Sequence, residues 1–452
     1  MKIRKIWIKG YHQFKDTFID LTNPITGEAV DKVCFIGKNG TGKSTLLMFI
    51  KGLIKQESNH KWSYAVELSI QGVNVVYFNK YTGVGNTNVE HFFLEPLVLN
   101  LPDWFEYLMN LESQTIRQEY GKSILFAINN ENIYHISKFM DDRSDLLIYS
   151  PSEGLKNSYL GFDDCPKSDV NTALQLFNNF PFYHEVSNEN INEFWTVLIY
   201  LIKQRQEEKE QFETRDENIN KTKKDLIVEF DKKYPKILDK ISEVWNRILA
   251  NAGLYFDVAG ASNPVQLTDN LLAYIYTIGS NKHIEYSQLS TGIRNYIFRI
   301  GHIFSLYFNR EIKRGIVLID EPENSLFPDF LYGLIESYQN VFIDKNGENN
   351  TQLFVATHSP IIAAQFEPYE RIILDWDEPG SVKAFKGKAP AGDDPNDILQ
   401  KDFSITHLMG KRGEEMWKEY LNMKKRLRHT SNESEKMELT GKIAHLGNEY
   451  NF

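Results

Sequence analysis

The chain opens on an alternation. In Lys2-Ile3-Arg4-Lys5-Ile6-Trp7-Ile8, apolar residues at 3, 6, 7 and 8 interleave with basic ones, which reads as an alternating β-strand pattern. Phe18 to Leu21 reads as a second strand of the same small sheet layer, closed by the turn residues Thr22-Asn23-Pro24. The pattern then changes kind. Lys32 to Ile36 is a nearly continuous apolar run that enters Gly37, as expected of a strand buried on both faces. A helix is predicted from about Gly42 to Ile54. Further strand-length apolar runs stand at Leu146 to Tyr149, Gly315 to Asp320 and Leu353 to Thr357. Between residues 60 and 150, strand-like and loop-like segments otherwise mix. From about Asn188 to Ala250 the period becomes helical. Lys203 to Lys224 is dominated by polar residues, and apolar positions recur at Leu226, Ile227, Phe230, Ile237, Ile241 and Trp245. Pro235 breaks or starts a helix there. Residues 253 to 375 return to alternating strands and helices. The tail from about Asp393 is helix-rich and carries the basic cluster Lys424-Lys425-Arg426-Leu427-Arg428. The whole reads as an α/β protein of 452 residues, without internal repeats or low-complexity tracts.

Composition narrows the class. Hydrophobic residues make up 42% and charged residues 25%, enough apolar material for a sizeable core. No apolar run approaches the roughly 20 residues of a membrane helix, and the N-terminus has no secretory apolar segment. A cytoplasmic protein without membrane contact is expected. Cys34 and Cys165 are the two cysteines; they form no disulfide framework or metal-ligand spacing, and Cys34 reads as a small buried hydrophobe. The net charge of -10 argues against a surface coated for nucleic acid, though not against a local basic groove.

Four short segments carry chemistry. Gly37-Lys38-Asn39-Gly40-Thr41-Gly42-Lys43-Ser44-Thr45 is a complete phosphate loop between a buried strand and a helix. Glycines let backbone N–H groups curl around phosphates, and the following helix points its positive end at the same anion. Lys43 is placed to reach the β- and γ-phosphates of ATP, and Ser44 to ligate Mg²⁺. The second segment, Gly315-Ile-Val-Leu-Ile-Asp320-Glu321-Pro322, brings two carboxylates to the end of an apolar strand, where open α/β sheets bind ligands. Asp320 is expected in the Mg²⁺ shell, and Glu321 as the residue that polarises or deprotonates the attacking water. The third is Leu289-Ser290-Thr291-Gly292-Ile293-Arg294-Asn295, just before a long helical pattern, and the fourth is Leu353-Phe-Val-Ala-Thr357-His358-Ser359-Pro360. Taken singly, Ser290 reads as a helix N-cap and His358 as a structural strand-end histidine.

In this order the four segments resemble ABC-type ATPases, with their Walker A loop, L-S-x-G signature, Walker B strand and strand-end histidine. Thr291 and Ile293 depart from the usual L-S-G-G-[QE] form; Ser290 and Gly292 match it. The resemblance implies a mixed-sheet ATPase head with a helical insertion and a helical C-terminal tail. It implies that Ser290 and Gly292 contact the γ-phosphate bound by an opposite subunit, so that the site closes in a homodimer or higher homo-oligomer. His358 would sense the γ-phosphate, and Glu323-Asn324-Ser325-Leu326 would stand in the place of the D-loop. The glutamine usual after a strand such as Leu146 to Tyr149 is missing; Ser152 and Glu153 occupy its place. Tyr11 and Phe14 are weak candidates for adenine stacking.

The interval from Lys43 to Ser290 spans more than half the chain, far longer than in transporter nucleotide domains. That length is similar to the branch containing structural-maintenance-of-chromosomes, RecF and OLD-type proteins. The run Asp320-Glu-Pro-Glu-Asn-Ser-Leu-Phe-Pro328 followed by Thr-His-Ser-Pro is similar to OLD-type and prokaryotic defence ATPases. Asp394-Pro-Asn-Asp-Ile-Leu-Gln400 and the charged helices after it are similar to ATPases of Septu and retron anti-phage systems. The domains expected are residues 1–185 and 253–390 as two parts of the ATPase core, 186–252 as a helical arm or lobe, and 391–452 as a helical tail. The function expected is an ATPase that regulates a separate effector nuclease or toxin in anti-phage defence. The alternative is a RecF-like DNA-repair ATPase that binds nucleic acid.

Overall fold

The computed structural model describes residues 1–55, 62–70, 72–81, 89–94, 101–119, 136, 140, 145–152, 182–186, 208–233, 237–257, 275–284, 288–310, 312, 314–343, 348–405 and 409–450. Its first half contains β1 (Lys2–Tyr11), β2 (Phe14–Asp20), β3 (Lys32–Gly37), α1 (Lys43–Lys55), β4 (Ser63–Ile70), β5 (Val73–Tyr81), β6 (Val89–Leu94), α2 (Leu101–Asn110), α3 (Ser113–Glu119), β7 (Asp145–Ser150) and β8 (Tyr183–Glu185). There follow α4 (Lys223–Lys233), α5 (Ile237–Leu249), β9 (Leu254–Phe256), β10 (Ile275–Thr277), α6 (Thr291–Arg310), β11 (Arg314–Asp320), α7 (Leu334–Val341), β12 (Thr351–Ala356) and α8 (Pro360–Ala363). The chain continues with β13 (Arg371–Glu378), β14 (Ser381–Lys386), α9 (Pro395–Lys401), α10 (Lys411–His429) and α11 (Glu433–Tyr450).

The continuous apolar runs pair with one another. A seven-stranded sheet has the order β14-β13-β3-β12-β11-β7-β8. All neighbours are parallel except β13 and β14. The alternating N-terminal strands form a second, antiparallel sheet of order β2-β1-β4-β5-β6. A short antiparallel pair joins β9 and β10.

Alternation along the central strands sorts the core into layers. Cys34, Ile36, Ile148, Val317, Ile319 and Val355 face one side, where they pack with α5, α6 and α7. Val33, Phe35, Leu147, Ile316, Leu318 and Phe354 face the other, where α1 lies between the two sheets. Leu46, Leu47, Phe49, Ile50, Leu53 and Ile54 of α1 are all buried, each stabilising the sandwich by roughly 1.5–3 kcal/mol. The outer face of the antiparallel sheet buries Trp7, Val76 and Phe78 against Trp104, Phe105 and Leu108 of α2. Gln352, fully buried, staples the sheets: its amide accepts from Ile3 N at 2.7 Å and donates to the carbonyls of Ile3 and Val30.

The stretch read as a helical arm divides. Leu226 and Phe230 of α4 form a small cluster with Phe212, while Ile227 is exposed. Ile241 and Trp245 of α5 sit in the main core, and the Trp245 indole donates to Ile297 O at 3.1 Å. Pro235 and residues 187–207 lie outside the described residues. The tail divides as well. Ile398 of α9 is fully buried in the same core, and Arg371 Nε lies 2.9 Å from Asp402 Oδ2, both side chains wholly enclosed. Helices α10 and α11 form a hairpin beyond it, in which Arg426 pairs with Glu435. Among the described residues, no helix is long and apolar enough to cross a membrane.

Candidate functional site

The parallel strands β3, β12 and β11 all end at one edge of the central sheet, and Phe35, Ala356 and Asp320 stand level there. The phosphate loop leaves β3 at this edge. Thr41 closes the loop on itself, its N–H and its hydroxyl both donating to Lys38 O at 3.3 and 2.8 Å. Helix α1 begins at Lys43, with Leu46 N donating to Gly42 O at 2.8 Å. Gly42 has φ +96°, and a Cβ there would lie 1.9 Å from Gln13 Nε2 and 2.8 Å from Phe14 Cζ. Both the backbone conformation and the space require glycine. Lys38, Asn39, Gly40 and Ser44 are exposed, Thr45 half-buried, and Gly37, Thr41, Gly42 and Lys43 buried.

The Lys43 ammonium donates to Gly37 O at 3.0 Å and Lys38 O at 3.4 Å. Burial lowers its pKa, and the carboxylates of Glu321, Asp320 and Glu323 partly offset that. The Asp320 side chain is buried, and desolvation raises its pKa against the pull of a hydrogen bond with Ser44. Its Oδ1 is enclosed with no hydrogen-bond partner among the described residues. A hydroxyl bonded to a buried carboxylate that keeps one oxygen unsatisfied is a donor set suited to a hard divalent cation such as Mg²⁺. The residues present therefore fit that ion.

Glu321 adopts φ +46°, an uncommon conformation for a residue with a side chain. Its N–H donates to Ala356 O at 2.8 Å, and its half-exposed carboxylate lies 3.7 Å from His358 Nε2. The pKa of His358 is lowered, first by burial and then by the charge of Lys43, with Glu321 opposing. Glu323 anchors the histidine's backbone: its Oε1 accepts from Thr357 Oγ1 at 2.6 Å and from His358 N at 2.8 Å. Burial raises the Glu323 pKa against these bonds.

The remaining segment starts α6. Ser290 is exposed; its hydroxyl accepts from Ile293 N at 3.3 Å and its carbonyl from Arg294 N at 3.0 Å, so it caps the helix. Gly292 packs against backbone, since a Cβ there would lie 2.0 Å from Ser325 O. The structure thus gathers Lys43, Ser44, Asp320, Glu321 and His358 at one edge. It sets Gly292 beside residues 325–326, while the hydrogen bonds of Ser290 stay within its own helix. Of the adenine candidates, Phe14 is wholly buried and Tyr11 is half-buried against Trp62, with ring centroids 4.5 Å apart. Ser152 offers its carbonyl to Asn324 at 2.9 Å; Glu153 lies outside the described residues.

Sequence reasoning missed Arg299, whose guanidinium donates to Glu321 O and to Pro151 O. The available signal was a charged residue at a position of α6 where the helical period demands an apolar one, beside Ile293, Tyr296, Ile300 and Ile303. Gln13, which donates to Gly40 O at 3.4 Å, left no signal.

No curated protein matches the chain. A family model described as the AAA ATPase domain matches residues 1–363, which include the phosphate loop, Asp320, Glu321 and His358. The chain therefore belongs to the AAA ATPase domain family, whose general activity is the hydrolysis of ATP.

Proposed function

We propose that this ATPase is of the ABC type, that two copies close over ATP, and that closure regulates a separate effector nuclease or toxin in anti-phage defence. The observation that carries the composite site is the placement of Ser290. It is exposed at the N-terminal end of a 20-residue helix that its hydroxyl caps. An exposed serine at a helix N-terminus suits an anion held by a second copy. The defence assignment rests on the resemblance at Asp320 to Pro328 and at Asp394 to Gln400.

Within this reading the roles follow from position. The backbone of Gly37 to Thr45 cradles the phosphates, and Lys43 exchanges its bonds to Gly37 O and Lys38 O for phosphate oxygens. Ser44 and Asp320 would hold Mg²⁺, which would supply charge neutralisation for the phosphates. Glu321 accepts the proton of the attacking water, and its neutral neighbour His358 donates to the γ-phosphate. Ser290 and Gly292 complete the partner's site, so ATP acts as a ligand that binds only the closed pair.

The test is purification of tagged Glu321→Gln from its native host with ATP present. A dimer or higher assembly with one stoichiometric nuclease or toxin is the expected result. A monomer under ATP rejects the shared site. Chromosomal DNA with repair proteins, and no effector, moves the assignment to a RecF-like role. The exposed basic residues Lys424, Lys425, Arg426 and Arg428 of α10 are the observation that keeps this second reading in view, and it demands binding that weakens steeply with salt.

A further inference from the structure

Three elements meet at Arg299. The residue lies on α6, nine positions after Ser290, and its side chain is almost fully buried. Its Nη2 donates to Pro151 O at 2.5 Å, in the loop that leaves β7. Its Nη1 donates to Glu321 O at 3.3 Å, just past the end of β11. A second link runs in parallel: Asn324 Nδ2 donates to Ser152 O at 2.9 Å. The loop after β7 is thus clamped to the Asp320–Glu321 turn from two sides.

The arrangement is costly unless it performs a task. A buried guanidinium whose hydrogen bonds go to two main-chain carbonyls gives up much hydration. Glu321 holds a left-handed backbone conformation, which costs on the order of 1–3 kcal/mol for a residue with a side chain. The carbonyl that Arg299 grips belongs to that same strained residue. Rotating the Glu321 peptide toward ordinary φ would break this bond and swing the carboxylate away from His358.

We propose that Arg299 is a positioning residue for Glu321. It fixes the strained turn that aims the carboxylate, and it makes that aim depend on the loop at Pro151 and on the helix that begins at Ser290. The proposal deepens the reading of Glu321 as the base and rests on it. Movement of α6 when a second copy meets Ser290 is then transmitted to the base through one side chain, over half the helix length. Ser152, which stands in the place of the usual glutamine after β7, and Pro151 before it act here through their carbonyls, which any residue supplies.

The test compares Arg299→Gln and Arg299→Lys with the parent in steady-state ATP hydrolysis, with ATP affinity and thermal unfolding measured on the same samples. Arg299→Gln is expected to lower kcat tenfold or more while the Kd for ATP changes less than threefold, because the hydrogen bonds of Arg299 go to the Glu321 and Pro151 carbonyls and not to the phosphate loop. Arg299→Lys keeps the charge but reaches one carbonyl at a time, so its kcat should fall between the two. In single-turnover assays, adding Arg299→Gln to Glu321→Gln should slow the residual rate less than twofold, since the aimed carboxylate is already gone. An unchanged kcat in folded Arg299→Gln overturns the proposal. So does an equal fold-loss in the Glu321→Gln background, or a kcat loss matched by loss of ATP affinity. Normal turnover by Glu321→Gln alone would instead reject Glu321 as the base, a separate failure.

Discussion

Gly292→Ala separates two accounts of the segment Ser290 to Arg294. If Gly292 serves only a phosphate on a second copy, a methyl group there leaves the isolated subunit untouched. The geometry says otherwise. The added carbon would lie 2.0 Å from Ser325 O, 2.6 Å from Ser325 C and 3.0 Å from Leu326 N. Ordinary contact between heavy atoms needs about 3.5 Å, so the backbone of residues 325–326 must retreat by more than about 1 Å. Overpacking of this kind costs roughly 1–3 kcal/mol. It has few cheap escapes, because Ser325 itself sits at φ +66°. The retreat pulls on Asn324, which holds Ser152 O, and on Glu323, which holds Thr357 and His358 N. We therefore expect Gly292→Ala to melt a few degrees below the parent as an isolated, nucleotide-free subunit. Its kcat should fall at least tenfold, equivalent to about 1.4 kcal/mol in the barrier, with ATP affinity within threefold of the parent. Calorimetry and steady-state hydrolysis on one preparation decide it. Parent-like melting of the isolated subunit would refute the packing argument, whatever the activity.

Other perturbations bear on different parts of the molecule. Lys43→Ala should abolish ATP binding in equilibrium titration; retained affinity would remove the phosphate loop from the site. Asp402→Ala leaves Arg371 charged and wholly buried beneath the carbonyls of Ala363 and Phe366, and should cost about 3–5 kcal/mol in denaturant unfolding. A loss under 1 kcal/mol would mean that the pair is not an integral part of the core. His302 Nε2 lies 2.9 Å from His184 Nε2, and burial and the neighbouring ring hold its pKa well below 6.5. The unfolded chain takes up that proton first as pH falls, so stability is lost below about pH 6.5, by up to about 1.4 kcal/mol per pH unit for one proton. The difference between parent and His302→Gln should shrink as pH drops from 7 to 5, and a difference independent of pH would contradict this.

Phosphate chemistry explains why so much of the site was legible in the sequence. A cradle of backbone N–H groups, a lysine and a magnesium-binding hydroxyl must come from contiguous residues, so Gly37 to Thr45 declare themselves in one line. Asp320 and Glu321 are legible for a related reason: a strand buried on both faces is uniformly apolar, and carboxylates at its end stand out. The strands at Lys32, Leu146, Gly315 and Leu353 are legible from the same uniformity; pairing extends the first three by one or two residues and shifts the last to Thr351–Ala356. What was illegible is what depends on distant partners. Arg371 and Asp402 look like ordinary surface charges until the fold encloses both. Helix α9 looked like the beginning of a separate tail because nothing local reveals that Ile398 enters the main core.

Gly292 and Arg299 show the limit most clearly. Each lies in a segment the sequence had marked, yet each takes its role from a loop that the motif does not contain. Gly292 is small because Ser325 is close, and Arg299 is charged because two carbonyls face it. In the proposed reading the motif residues mark where ATP binds and which carboxylate activates the water. The helix of Thr291–Arg310 meets Ser325 and Leu326 at Gly292 and the Glu321 carbonyl at Arg299, so a force on its exposed N-terminal end has a mechanical route to Glu321. With Glu321 as the proposed base, the placement of α6 would set the rate, and the proposed second copy would act on it through the exposed surface at Ser290.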